Sequence, residues 1–510
     1  MFFFYFPIIL LTFAAIIILR MCAMKKLLTT LITLVLAVTA TRADDWQSVA
    51  LSRDITHPQP MTGLVLWPDE AEDRNATYGS SIQLEFSYCL PCKVVKGCDA
   101  DGSIQYDWTW FDNILTQVAS RGHQLIARFR YEYPNSTDVD GNKGTTAVPD
   151  YIKQRSDYNE TYSKNPGGDG PTYYADWSCE ELQRFTLQFY TDFAQRYADD
   201  PRLAFLEVGF GHWAEYHIYG TTLQLGKNFP SKAFQKEFFL HMSNVMTQIP
   251  WLVSIDAADD EYSPAVADND MMALRFGLFD DSFMHQKHEI GSGDGYNEEC
   301  WNAIGQGTRW QTGVCGGEVS YYKDSDQKNF LNPNGMYGHT WEEQAAKYHI
   351  TFMIANDAPR GSYGTAQRFR EASMASGYRL VVKQCLTDGT TTRLLVTNEG
   401  IAPLYRDAYF AIGNVRSTES LKGLVPKEEK WVEIAAPADA KQLHIASDCI
   451  LPQQEIEFQA AIEGGETGIT TINAPAEPSA EGTCYNLAGQ RVTKPAKGVI
   501  IQRKRLVITK

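Results

Sequence analysis

The chain has 510 residues, 44% of them aliphatic or aromatic and 12% aromatic alone, with a formal net charge of −16 at pH 7. That length exceeds one ordinary domain, and the apolar share is enough to bury a large core. The acidic balance argues against nucleic acid as a partner, because phosphate binding needs a basic surface; the aromatic richness suits either flat ligands such as sugar rings or a large aromatic core.

Residues 1–43 read as a leader. Met24-Lys25-Lys26 is a positively charged start, residues 27–38 are apolar, and Ala40 and Ala43 offer small-residue cleavage positions, which is the layout of a secretory signal peptide. The apolar residues 1–19 approach the length a bilayer needs. A signal needs no second apolar segment ahead of it, so translation is expected to begin at Met24. The mature chain is expected to be exported (secreted, cell-surface or periplasmic) with no stable membrane insertion. Export permits disulfides. Cys89, Cys92 and Cys98 lie close together, and a disulfide is favoured there over zinc because no second ligand pair follows at finger spacing.

From residue 62 to about 358, short apolar runs alternate with helical patterns, the signature of βα units. Strands are expected at 64–67, 82–88, 125–131, 203–210, 251–256, 272–279, 314–320 and 350–355. Helices are expected at 110–120, 180–197, 232–247 and 341–349. Phe111, Ile114, Leu115 and Val118 have helical spacing, and Arg121-Gly122 supplies a stop. Eight strands in order predict a (β/α)8 TIM-type barrel. A doubly wound sheet is the alternative, but it usually shows a Gly-rich phosphate loop after its first strand, and none follows here. After Gly377 short β-rich runs between turns predict a small antiparallel β-sandwich. The expected organisation is a leader over 1–43, a barrel over 44–375, a sandwich over 376–462, a linker over 463–483 and a tail over 484–510. The tail has seven basic residues and no acid. It resembles the short sorting tails of exported Bacteroidetes-type proteins, with a plain β-hairpin as the other reading.

Barrel chemistry gathers at the C-terminal ends of the strands, and glycoside hydrolysis commonly needs two carboxyl groups there. After strand four the chain reads Gly209-Phe210-Gly211-His212-Trp213-Ala214-Glu215-Tyr216-His217, with Glu215 a candidate general acid, Trp213 a sugar platform, and His212 and His217 beside them. A Glu held by His in a structural network is the plainer alternative. At strand seven, Gly316-Gly317-Glu318 offers a second carboxylate, with the glycines allowing close approach to a ligand. Catalytic Glu215 and Glu318 are therefore the expected pair, Glu318 as nucleophile or base. Arg128 and Arg130 alternate onto one side of strand three. Two inward arginines need partners, either protein carboxylates or an acidic group on a ligand. Asp281 is a candidate for binding hydroxyls, Tyr88 a further aromatic, and Asp256, Asp259 and Asp260 an acidic cluster without a calcium-loop pattern. No metal and no cofactor are expected.

The order of these motifs (Tyr106-Asp107-Trp108, the Arg-rich strand three, Gly211-x-Trp213-x-Glu215-x-His217, Asp280 to Phe283, Gly316 to Glu318, then Asn398-Glu399-Gly400 through Tyr405) resembles the bacterial proteins that pair domains of unknown function 4874 and 4832, over roughly residues 60–460. The resemblance implies a glycosidase-like barrel and a carbohydrate ligand; Ala214 departs from the Gly expected in the family loop. A secreted glycoside hydrolase is the leading expectation. A non-catalytic carbohydrate-binding surface barrel is the second, and a structural or adhesive protein working through its sandwich is the third.

Overall fold

In the computed structural model the described residues are 46–289, 293–320, 322–355 and 361–464, together with four short strands beyond residue 483. The leader and most of the linker lie outside them. Residues Ser48–Gly464 form one compact unit. The four late strands (Cys484–Tyr485, Arg491–Val492, Gly498–Gln502, Arg505–Thr509) pair antiparallel in a small sheet of their own.

Eight parallel strands close into a barrel in chain order: β1 (Gly63–Leu66), β2 (Leu84–Cys89), β3 (Gln124–Phe129), β4 (Leu203–Val208), β5 (Trp251–Ser254), β6 (Gly277–Phe283), β7 (Cys315–Val319) and β8 (Phe352–Ile354). The connecting helices are α1 (Pro68–Tyr78), α2 (Thr109–Ser120), α3 (Glu180–Tyr197), α4 (Lys232–Val245), α5 (Tyr296–Gly305), α6 (Trp341–Lys347) and α7 (Ala366–Met374). The chain is thus a (β/α)8 barrel, as the alternation of apolar runs predicts. In α3, Phe185, Phe189, Phe193 and Tyr197 recur every fourth residue and are all buried, which glues that helix to the barrel wall.

One strand differs from the expectation. Residues 272–276 are not part of β6; Asn269–Met272 is a one-turn helix, because the Asp268 carboxylate accepts hydrogen bonds from the amides of Asp270 and Met271. Only this turn and a 3-10 turn at Ile255–Ala258 join β5 to β6. The strand itself starts at Gly277 and runs on through Asp281 to Phe283, which brings both aspartates into the barrel wall.

Period-two alternation sorts the strand residues. Leu125, Ala127 and Phe129 of β3, Cys315 and Val319 of β7 and Met353 of β8 pack among the helices. Val65, Phe86, Ile126, Phe205, Leu252, Phe279, Phe352 and Ile354 fill the interior. Gly316 faces this interior: a methyl added to it would run into the Phe352 ring. The glycines before Glu318 therefore serve protein packing rather than ligand approach, since a Cβ on Gly317 (φ +143°) would likewise strike the Asp280 backbone of β6.

The interior cluster continues into the β-rich region. There β9 (Leu380–Thr387), β10 (Thr392–Asn398), β13 (Glu429–Ile434) and β15 (Gln459–Ile462) form one sheet in the order β13-β10-β9-β15, extended by the strand Leu51–Arg53. A second sheet holds β11 (Tyr409–Ile412), β12 (Val415–Arg416) and β14 (Leu443–Ala446). The pairing is antiparallel except for β9 with β15. This region seals the barrel at the start of the strands. Buried Arg406 donates to the carbonyls of Leu203 and Ala204 at 3.3 and 3.5 Å, and Gln124 Nε2 to the Cys449 carbonyl at 2.9 Å. The opposite, C-terminal end is left for chemistry.

The expected disulfide among Cys89, Cys92 and Cys98 does not form. All three are free thiols, as are Cys179, Cys300, Cys315, Cys385 and Cys449. Cys89 lies on β2 in the helix-facing core, Cys92 packs beside Leu90 and Ala147, and the Cys98 sulfur accepts from Arg184 Nη2 at 3.7 Å. Burial pushes the Cys92 thiol up to about 11.

Replacing Gly316 by Ala should destabilise the fold by about 1–3 kcal/mol, the usual range for overpacking. Denaturant unfolding checks this; an unchanged midpoint would mean that the interior is not packed against Phe352.

Candidate active site

Above the apolar interior the inward row turns charged. Arg128 of β3 stands beside Glu207 of β4 in register and is fully buried. Its Nε donates to Glu207 Oε2 at 2.6 Å. Its Nη1 and Nη2 donate to Asp281 Oδ2 and Oδ1 at 2.5 and 3.1 Å, and Nη1 also reaches the Trp213 carbonyl at 3.3 Å. The Phe279 ring lies 4.0 Å from the guanidinium carbon. Three strands and the β4 loop are thereby tied to one cation. Both Asp281 oxygens accept from Arg128, so this residue holds Arg128 in place.

The loop after β4 folds tightly on itself. The Gly211 amide donates to the Glu215 carbonyl at 2.8 Å, and the His212 amide to the His217 carbonyl at 3.1 Å. A Cβ on Gly209 would collide with the Ala214 carbonyl, and one on Gly211 with that of His217; these glycines are needed for close backbone approach. The turn itself falls on Trp213 and Ala214, both left-handed at φ 56° and 62°. Side chains resist that conformation, which explains why glycine is the natural occupant at position 214.

This turn sets out the side chains. Glu215 is nearly buried and carries no protein hydrogen bond on its carboxyl among the described residues; its near neighbour is His217 Nδ1, 3.8 Å from Oε2. His217 instead bonds Asp256 Oδ2 at 2.6 Å, across from the turn after β5. Burial opposes the His217 charge, but the Asp256 hydrogen bond and the Glu215 charge outweigh it and lift its pKa to about 9. Oxygen and nitrogen atoms of Glu215, His217 and Asp256 lie within 4.8 Å of one another. That spacing could admit a divalent cation; in the structure His217 and Asp256 form a hydrogen-bonded pair beside the Glu215 carboxyl group. His212 is different: it is fully buried, stacked on Tyr174 at 5.4 Å, and driven down to about 3 by burial and by His217. It supports the loop from beneath.

Glu318 sits on the inward side of β7 and is also buried. Burial pushes Glu215 well above the ordinary carboxyl range; Asp281 and Asp256 add to this while His217 and Arg128 oppose it. Burial and Asp281 likewise raise Glu318, Arg128 pulls it down, and the charge of Glu215 raises it further. Asp280, beside Asn297, is pushed up to about 7, mainly by burial. An aromatic rim surrounds the two glutamates. Tyr88 contacts Tyr133 at 5.5 Å, Tyr133 contacts Trp213 at 6.0 Å, and Tyr219 lies parallel to His217 at 5.8 Å. Arg130, just past β3, donates from Nη2 to the Asp138 carboxylate.

The structure therefore gathers Glu215, Glu318, Arg128, Asp281, Tyr88, Trp213 and His217 at one mouth, and sets His212 below it. Sequence reasoning overlooked Glu207, Tyr133 and Tyr219, and did not join Asp256 to His217. Glu207 was within reach of it, since alternation from Phe205 puts residue 207 inward. The Asp256 contact crosses between two loops, which no spacing reveals.

No family model matches the chain, and no curated protein matches it. Among solved structures it is similar to the catalytic domain of β-amylase from Paenibacillus polymyxa, at 10% identity and a TM-score of 0.37 over 62% of this chain and 99% of that one. It is also similar to endo-glycoceramidase II from Rhodococcus sp., at 12% identity and a TM-score of 0.40 over 77% and 100%. A further glycoside hydrolase aligns at 9% identity and a TM-score of 0.34 over 64% and 96%. These neighbours are glycoside hydrolases, but at such scores the reaction has to be argued from the site itself. Among the described residues no helix is long and apolar enough to cross a membrane.

Two outcomes follow from this geometry. The raised pKa of His217 is a stabilising contribution present in full below its unfolded value of about 6.5 and lost as pH rises through about 9. The stability advantage of the wild type over His217→Gln should therefore shrink between those values in unfolding measured across pH; a constant difference would remove the ion pair. Ala214→Gly should stabilise by about 0.5–1 kcal/mol, the relief of a left-handed residue less the backbone entropy of glycine. A thermal melt reads this, and a loss of stability would contradict the strained turn.

Proposed function

We propose that the chain is an exported glycoside hydrolase that cleaves a carbohydrate by acid/base chemistry at Glu215 and Glu318. The observation that carries this reading is the pair of largely buried carboxyl groups at one barrel mouth, each pushed upward by burial. Two such groups lose their protons one at a time. Within this proposal Glu318, on β7, is the nucleophile or base, and Glu215, on the β4 loop, is the acid that protonates a departing glycosidic oxygen. Arg128 holds Asp281 and Glu207 in place around them. Trp213, Tyr88, Tyr133 and Tyr219 supply faces on which sugar rings stack, and His217 with Asp256 sets the position and field of Glu215. Export through a leader over residues 1–43, and membership of the group with domains 4874 and 4832, belong to the same proposal.

The test is release of reducing ends from a panel of polysaccharides and aryl glycosides. The wild type is expected to turn over one of them, and Glu215→Gln and Glu318→Gln each to lower kcat about a thousandfold while the glycan still binds in affinity electrophoresis. Both limbs of the pH–rate profile should lie above the ordinary carboxyl range of about 4.3. Wild-type protein that binds a glycan and cleaves none would put the non-catalytic binding barrel in its place.

A further inference from the structure

Arg128 and Arg130 stand two residues apart and have opposite fates. Arg128 uses Nε, Nη1 and Nη2, each on a carboxylate. Arg130 is 2% exposed, yet its Nε and Nη1 are buried with no hydrogen-bond partner. Its only carboxylate partner among the described residues, Asp138, touches Nη2 alone and is 49% exposed on the segment that follows β3. A guanidinium presents two forks, Nε with Nη2 and Nη1 with Nη2, each matched to a planar carboxylate. In Arg130 both forks have one tine empty. Leaving a buried charge so poorly paired is costly, and a solvent-facing aspartate is an easily replaced partner. The guanidinium carbon lies 4.4 Å from the Tyr133 ring and 5.4 Å from that of Tyr88. The charge of Glu318 acts on the hydroxyls of the same two tyrosines. Arg130 thus packs against two rings of the aromatic rim at the barrel mouth.

We propose that Arg130 recognises a carboxylate on the sugar bound at the barrel mouth, with Asp138 holding its place in the empty protein, so that the substrate is a uronate-bearing glycan. The inference rests on the carbohydrate reading above. The incoming carboxylate displaces Asp138 into solvent and fills one fork completely. The chain's net charge of −16 opposes a polyanion at long range, but that repulsion is screened beyond about 8–10 Å in physiological salt. The contact therefore selects where an acidic sugar sits; it does not gather polyanions.

Isothermal titration of the full chain with galacturonate and glucuronate oligosaccharides, their neutral galactose and glucose parents, and the sulfated parents decides the matter without relying on turnover. The wild type should favour uronates over neutral parents by about tenfold to a hundredfold, the worth of hydrogen bonds to a charged group. Arg130→Gln should erase the preference, Arg130→Lys should keep only part of it, and Asp138→Asn should strengthen uronate binding. Equal binding of neutral and acidic glycans, or a preference that survives Arg130→Gln, overturns the proposal while leaving the hydrolase reading intact. Sulfated parents bound more tightly than uronates overturn the carboxylate assignment. Failure to bind any glycan overturns the parent reading and this one with it. If the Arg130 variants do not fold, Asp138→Asn decides alone: no gain in uronate affinity sinks the idea.

Discussion

The mouth of this barrel is organised by one buried cation. Arg128 has no solvent of its own, so its charge is tolerated only because Glu207 and Asp281 surround it with short, well-directed bonds. Pairs of this kind stabilise little in net terms against an apolar replacement, but removing one partner from a buried pair typically costs about 3–5 kcal/mol. The constraint is therefore one of geometry more than of stability. β3, β4 and β6 cannot slide relative to one another without stranding a charge, and the Trp213 carbonyl ties the β4 loop to the same point. The position of Glu215, on that loop, follows from the anchoring.

The loop shows how much local cost such an anchor can sustain. Two consecutive side-chain-bearing residues occupy left-handed conformations, and two glycines beside them allow carbonyls to approach where any side chain would collide. Residues in such regions persist only where the surroundings over-determine them. Here the surroundings are a ladder of backbone bonds between residues 210 and 217, the Arg128 contact, and the His212 ring packed beneath between Tyr174 and Tyr219. The result is a rigid turn that presents Trp213 and Glu215 side by side, which a relaxed loop would leave to chance.

Much of this was legible in the amino-acid order because it follows from period. Alternation through 124–129 and 315–319 tells which residues face inward, and it puts Arg128 and Glu318 in the barrel without any structure. The fourfold aromatic spacing of α3 and the Arg121-Gly122 stop are equally local. What was not legible is pairing across loops. Nothing in the spacing of His217 and Asp256 says that they touch, and proximity in sequence misled at Cys89, Cys92 and Cys98, whose thiols point into separate environments. The sixth strand was misplaced for a third reason: the mostly apolar run 272–279 mimics a strand, and Asp268 captures its first residue, Met272, in a helical turn.

The sandwich makes sense of the polarity gradient along the barrel axis. By continuing the interior cluster below β1–β8 and satisfying the strand-start carbonyls through Arg406, it makes the lower half of the barrel a sealed apolar core. A low-dielectric floor of this kind strengthens every charge above it. The carboxyl groups of Glu215 and Glu318 are raised chiefly by burial. The β-rich region thus closes the end of the barrel opposite the site within the same compact unit, and the site's named side chains all come from the barrel strands and their loops.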